Sequence, residues 1–203
     1  VLTTHPFPAD VKDLTVTVID VGQGESVLVE FPGSEKMLVD GGGLPTGTFD
    51  IGEHVVSPFL WNKGIKKIDR LVLTHPHPDH LQGLIYILKN FDVQEVWSTG
   101  VKADNDLYRL WEKTISEHKI KMKYLSSQTP SVNLSGALIH FLWQKKKKNR
   151  EDLETSEDEL NDSSVVMKIT YAAESFLVTG DISSFVETRL IESGQNLKSD
   201  ILL

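Results

Sequence analysis

Cysteine is absent from these 203 residues, so no disulfide staples the chain and no thiolate can hold a metal. That absence leaves the compartment open. Long apolar runs are missing too. No stretch of about 18 apolar residues occurs, and nothing reads as a membrane-spanning helix. Val1 to Asp10 lack the basic start and apolar centre of a signal peptide, and the chain does not begin with methionine, which suggests a fragment or a processed chain. Positive charge is in deficit: 21 Lys and Arg stand against 29 Asp and Glu, a formal charge of −8. This argues against generic, charge-driven nucleic-acid binding. It leaves room for a metal site acting on phosphodiesters, where cations supply the local positive charge. What is present, 39% hydrophobic and 25% charged residues, describes a globular chain long enough for one sizeable core.

Residues 1–13 carry two prolines and no periodicity, and read as a linker ahead of one domain over 14–203. Leu14 to Ile19 alternates and is β-branched, which predicts a strand. Val27 to Phe31 and Met37 to Val39 predict two more, making a small antiparallel meander. Between the first two lies Asp20-Val21-Gly22-Gln23-Gly24-Glu25-Ser26, whose glycines suit a tight turn approached closely by other backbone. The third strand ends at Asp40-Gly41-Gly42-Gly43. The glycines read as a flexible bend, since a phosphate-cradling loop would need a different spacing and a lysine. Asp40 reads equally as a turn-former or as a carboxylate that orients metal-bound histidines from behind.

Downstream, Ile51 to Trp61 has a helical pattern interrupted by Pro58 and ended by Gly64. Strands are expected at Leu71 to Thr74, Val93 to Trp97, Lys121 to Leu125, Leu138 to Trp143, Ser164 to Tyr171 and Ser175 to Thr179. A final strand begins at Asp200. Helices are expected over Leu81 to Lys89, over Asp106 to His118 and over Phe185 to Ser193, the last capped by Ser183 or Ser184. Trp111 reads as core. His54 reads as structural, His118 as a helix-end residue and His140 as facing away from the core. Residues 144–162, four lysines and then an acid-rich run, read as a solvated mobile loop. The lysines would also serve as a basic rim for a nucleic-acid backbone, blunted by the acidic neighbour.

The chemistry concentrates in Thr74-His75-Pro76-His77-Pro78-Asp79-His80. Neutral imidazoles and carboxylates are natural ligands of zinc, manganese or iron. His75 and His77 lie two apart, and the residue before a proline is pushed into extended backbone, so both side chains leave one face. Asp79 and His80 follow where the chain turns into a helix, and could serve a second cation. One surface histidine is ordinary; three with an aspartate in six residues at a strand end are a metal motif. Another acidic residue, Asp181, follows a strand in Thr179-Gly180-Asp181.

In this order, strand-Asp40, His75-x-His77-x-Asp79-His80 and Thr179-Gly180-Asp181 resemble the metallo-β-lactamase superfamily of metal-dependent hydrolases. Within it, Asp20-Val-Gly-Gln-Gly-Glu25-Ser and Asp162-Ser-Ser-Val-Val look like the soluble C-terminal domain of ComEC-type competence proteins, membrane proteins implicated in DNA uptake. The resemblance runs from Leu14 to the last residue. It implies an α/β (α+β) fold, a four-layer αββα sandwich of two mixed β-sheets with metals at one edge.

Carried over by residue, the resemblance makes His75 and His77 ligands of a first metal, and Asp79 and His80 ligands of a second. Asp181 would bridge both, Asp40 would stand behind the histidines, and Asp79 and Asp181 would be the catalytic carboxylates. One or two divalent ions, zinc or manganese, are the expected cofactors. Two departures stand out: Ser98 or Thr99 occupies the place of a further first-site histidine, and the chain ends before the family's His-His-Gly-Ser segment. Incomplete sites with partial metal occupancy in an apparently truncated domain are therefore expected. The resemblance implies a phosphodiesterase or nuclease acting on DNA during uptake, in a soluble domain of a bacterial membrane protein on its extracytoplasmic face. DNA and the rest of that protein would be its partners. The alternatives are a non-catalytic module that binds DNA, including single-stranded DNA, or a partner subunit, and a hydrolase of a small ester or amide or of a cell-wall phosphodiester.

Overall fold

β-branched alternation near the start of the chain becomes strand where expected. In the computed structural model, which describes residues 12–44, 49–143 and 157–203, β1 (Thr15–Val18), β2 (Val27–Glu30) and β3 (Lys36–Val39) form an antiparallel meander. Most of the expected linker and residues 144–156 of the charged loop lie outside the described residues. The helical pattern after Ile51 resolves into a π-helical stretch, Gly52–Val56, running into α1 (Ser57–Asn62). Pro58 falls at the junction of the two, in the first turn of α1, and the Glu53 carbonyl one turn back accepts from Ser57 Oγ at 2.9 Å.

A short β4 (Lys67–Ile68) precedes β5 (Arg70–Val72). Helix α2 runs Pro78–Asn90, so it begins three residues before the expected Leu81 and takes Asp79 and His80 into its first turn. Proline at its start, with His77 extended before it, is the signal. The expected Val93 to Trp97 strand is two strands: β6 (Asp92–Val93), paired with β4, and β7 (Glu95–Ser98). Then follow α3 (Asp106–Glu117), β8 (Lys121–Tyr124), an unanticipated β9 (Val132–Leu134) and β10 (Ala137–Trp143). Part of the expected loop is helical, as α4 (Glu157–Asn161), because Leu160 is buried against the main core. The chain closes with β11 (Val166–Tyr171), β12 (Glu174–Val178), α5 (Ser184–Glu192) and β13 (Ile201–Leu202). Ser183 stands at the N-cap of α5 without bonding it; its hydroxyl donates to Asp162 Oδ1 instead, at 2.6 Å.

Two mixed sheets result. The first has the order β1-β2-β3-β5-β7-β8, with β3, β5, β7 and β8 parallel. The second has the order β13-β12-β11-β10-β9, with only β13 added in parallel. Their inner faces meet in one apolar layer holding Val29, Met37, Trp97, Ile139, Phe141 and Met167. The Trp97 and Phe141 rings pack edge to face with centroids 5.7 Å apart. On the outer face of the first sheet, α1, α2 and α3 bury Leu60, Leu81, Leu84, Leu88, Trp111 and Ile115 with Leu71 and Val96. On the outer face of the second, α5 buries Val186 and Leu190 against Val166 and Leu177. This is the four-layer αββα sandwich. No helix among the described residues is long and apolar enough to cross a membrane.

The triple glycine is not a flexible bend. Gly41 N donates to His80 O at 2.9 Å and Gly83 N to Gly42 O at 3.0 Å. A Cβ on Gly83 would lie 2.0 Å from Gly41 O. Glycine at both places lets α2 sit directly on the exit of β3, and this contact brings His80 to Asp40.

Candidate metal centre

β3 and β5 are adjacent parallel strands paired through Val39 and Val72, so their exits, Asp40 and Leu73-Thr74, emerge side by side. Crevices beyond the carboxyl ends of parallel strands are where open α/β sheets bind ligands. Asp40 has a left-handed backbone, φ 53°, a conformation few non-glycine residues adopt. Its carboxylate is fully buried, and both oxygens are hydrogen-bonded. Oδ1 accepts from Thr74 N at 2.8 Å, and Oδ2 accepts from Thr74 Oγ1 at 2.5 Å and lies 2.7 Å from His80 Nδ1. Asp40 thus stands behind the histidines as the orienting carboxylate rather than as a turn-former alone.

This network sets tautomers. Thr74 gives its hydroxyl proton to Asp40, so its oxygen is free to accept from His75 Nδ1, 3.1 Å away. Ser164 Oγ stands 3.3 Å from the same nitrogen. Each arrangement leaves His75 Nε2 as a lone pair directed at His77 Nδ1, at 3.2 Å. Two nitrogens bound tetrahedrally at 2.0–2.1 Å to one zinc ion would lie roughly 3.3 Å apart. His80 is almost wholly buried, and its Nε2 has no hydrogen-bond partner. That nitrogen lies 3.4 Å from Asp181 Oδ1, outside hydrogen-bonding geometry, and the His75 and His80 ring centroids are 4.2 Å apart. Asp181 follows β12 and remains 48% exposed at the mouth of the site.

His75, His80 and Asp181 therefore present ligand atoms within 4.8 Å of one another, with His77 against His75. Asp79 does not join them. It lies in the first turn of α2 and lines the adjoining cleft. Ser98 and Thr99 are buried at the end of β7, where Ser98 Oγ accepts from Gly100 N at 3.2 Å; neither hydrogen-bonds a histidine among the described residues. His54 is exposed beside Phe49, His118 ends α3, and His140 meets Ser131 Oγ at 2.7 Å, so none reaches the cluster.

The charges are uneven. Burial, then the positive charges of His80 and His77, lower the His75 pKa to about 3 and keep its imidazole neutral. Burial also opposes charge on His80, but Asp40 and Asp181 outweigh it and raise that pKa to about 11. His80 in turn holds the Asp181 carboxyl below its usual range. Beside the cluster opens a cleft of about 650 Å³; among the described residues its acidic lining side chains are Asp20, Glu25, Asp79 and Asp181, and no lysine or arginine lines it. Sequence reasoning missed Thr74, Ser164 and Glu25 as members of this site. Burial, then Asp40 and Asp181, raise the Glu25 pKa to about 7. The only sequence signal for Glu25 was its place in the glycine turn.

The donor set fits a divalent cation. Two imidazole nitrogens converge, a third buried one is unpartnered, and a carboxylate closes the group, all nitrogen and oxygen.

The sequence model of the Metallo-beta-lactamase superfamily matches residues 19–119. Among curated proteins, the chain is 26% identical to "ComE operon protein 3" of Bacillus subtilis (strain 168), over 97% of this chain and 26% of that protein. It is 27% identical to "Competence protein ComA" of Neisseria gonorrhoeae, over 98% of this chain and 24% of that protein. The chain thus spans about a quarter of the length of the curated relatives it matches. Among solved structures, the metallo-beta-lactamase SMB-1 bound to 2-mercaptoethanesulfonate superposes with a TM-score of 0.58 at 13% identity, covering 93% of this chain and 75% of that one. CmlA, a diiron beta-hydroxylase from Streptomyces venezuelae, gives 0.55 at 19% identity, covering 94% of this chain and 34% of that one. At such identities these likenesses show the fold alone.

Proposed function

We propose that this chain, which belongs to the metallo-β-lactamase superfamily, is a metal-dependent hydrolase domain whose substrate is a phosphodiester, DNA in the course of its uptake. One observation carries the reading: His75 Nε2 and His77 Nδ1 converge at 3.2 Å beside the buried, unpartnered His80 Nε2 and Asp181, at the mouth of an acidic cleft. His75, His77, His80 and Asp181 would hold one or two divalent ions, zinc or manganese, with Asp79 on the wall of the adjoining cleft. When bound, such ions supply Lewis acidity that activates water and offsets charge on the reacting oxygens. The chain's own part is positional. Asp40 fixes His80 directly and His75 through the Thr74 hydroxyl, and a cleft with no basic side chain among the described residues favours an anionic backbone where cations balance it.

The likeness to two competence proteins supports DNA as the substrate, and the remainder of such a membrane protein as the partner, with this domain on the extracytoplasmic face. CmlA, a diiron protein of the same fold, makes the metal a quantity to measure, because fold does not fix chemistry. The test is metal content together with single-stranded and duplex DNA cleavage in added manganese or zinc. His77→Ala and Asp181→Ala are expected to lower turnover at least about 100-fold. A second reading, a binding module with a degenerate site, is favoured by Ser98 and Thr99, which supply no further imidazole. DNA retention without metal-dependent turnover would establish that reading and overturn the first.

A further inference from the structure

Glu25 belongs to neither the histidine motif nor the residues that hold it, yet the fold delivers it to the same place. Its turn is fixed from three sides. Gly42 N donates to Glu25 O at 2.9 Å, Ser26 Oγ donates to Asp40 O at 3.1 Å, and Ile19 N donates to Ser26 O at 2.8 Å. The turn also lies flat on α2: a Cβ on Gly24 would stand 1.9 Å from Asp79 O. The result is a carboxylate whose oxygen, an Asp40 oxygen and a His80 nitrogen lie within 4.8 Å of one another.

The Glu25 side chain is half-buried on the cleft wall it shares with Asp79 and Asp181, and no hydrogen bond or ion pair satisfies it among the described residues. Asp40 is engaged in orienting Thr74 and His80, with three hydrogen bonds on its two oxygens, whereas Glu25 has no such engagement among the described residues. His80 Nε2 is almost wholly buried, makes no hydrogen bond, and faces Asp181 Oδ1 at 3.4 Å, beside the cleft that Asp181 lines. A carboxylate withdrawn from water without a partner is costly, and no lysine or arginine among the described residues lines the cleft to balance it. His80 belongs to both groups of converging ligand atoms, the one with Glu25 and Asp40 and the one with His75 and Asp181. A divalent cation beside His80 would therefore offer Glu25 the positive charge it lacks.

We propose that Glu25 is a metal-ligating carboxylate, supplied by the turn between β1 and β2, which joins His80 at the metal centre from the side of the cleft. The inference rests on the metal-centre reading above and adds to it a ligand from outside the histidine motif. It also gives the glycine turn a role: Gly24 permits the approach to α2 that carries Glu25 to His80.

The experiment measures Mn²⁺ and Zn²⁺ binding to the whole chain by equilibrium dialysis with elemental analysis, and the rise in melting temperature that each ion produces. Glu25→Gln should weaken the more loosely held ion about tenfold or more and shrink the metal-induced rise, with the metal-free chain folded as judged by circular dichroism. Glu25→Asp should restore part of the affinity. Asp20→Asn, on the same turn and outside both ligand groups, should leave binding unchanged. If Glu25→Gln binds both ions as wild type does while His80→Ala does not, the role of Glu25 is overturned and the metal centre stands. If the wild-type chain binds neither ion, both fall.

Discussion

Asp40 does with one carboxylate what two separate orienting groups would otherwise do. Its Oδ2 serves the Thr74 hydroxyl and His80 Nδ1 together, so one buried charge sets the proton positions of both His75 and His80. The consequence for pH involves Glu25 as well. In the metal-free chain Glu25 has a folded pKa of about 7 against an ordinary 4.5, so its protonated form is favoured by folding. That contribution is complete below about pH 4.5 and is lost as pH rises through 7. His80, at about 11 against 6.5, contributes in full below 6.5 and loses its contribution as pH rises through 11. Both groups make the metal-free protein less stable as pH rises. His75, lowered to about 3, works the other way and adds stability as pH rises to 6.5. Urea denaturation in chelator should therefore show the decline between pH 6.5 and about 9. Wild type should lose stability relative to Glu25→Gln as pH rises to 7 and run parallel to it above. Parallel curves throughout would show that Glu25 ionises in the folded chain as it does in the unfolded one.

At the scale of elements, the site depends on two places where backbone meets backbone, the Gly83 contact with Gly41 and the Gly24 contact with Asp79. The glycine turn allows the second to be isolated. Gly22 and Gly24 both have left-handed backbones, φ 77° and 83°, but only Gly24 has a neighbour where a Cβ would go. Gly22→Ala should cost about 1 kcal/mol of backbone strain. Gly24→Ala should cost that and about 1–3 kcal/mol more, because α2 must move off the turn. Chemical denaturation of both variants reads the difference, and equal losses would refute the contact.

Such contacts explain what the sequence disclosed. Strands β1 to β3, β10 and β11, and the amphipathic α3, announce themselves by local alternation and period, which depend on neighbours in the chain. The ligand motif is equally local. By contrast, β9 is three residues containing an asparagine, too short for a pattern, and α2 starts in a His-Pro-Asp run that reads as a turn until Pro78 is taken as its first residue. Glu25 joins His80 only because β3 and α2 pack on its turn, a relation no local pattern carries. Asp79 was expected among the ligands for its place in the motif, whereas its position in the first turn of α2 sets it on the cleft wall.

Over the whole molecule, charge constrains what the sandwich can bind. The chain carries a formal charge of −8, and its site opens into a cleft edged by four carboxyl side chains. A protein that holds nucleic acid through lysines and arginines releases one condensed counterion per phosphate neutralised, and its affinity falls steeply with salt. Here the described cleft has no such side chains, so attraction for a phosphodiester must enter with the cations. Without divalent metal, single-stranded DNA should show no measurable binding at about 0.1 M salt. With Mn²⁺ present, binding should appear, and the logarithm of the association constant should fall with the logarithm of salt concentration at a slope shallower than about −2. Fluorescence anisotropy of a labelled oligonucleotide across a salt series measures both. A slope of about −3, as four phosphate contacts on a single strand would give, that disappears when Lys145 to Lys148 are replaced by glutamine would assign the contact to that lysine run, and would move the DNA-binding surface away from the metal centre.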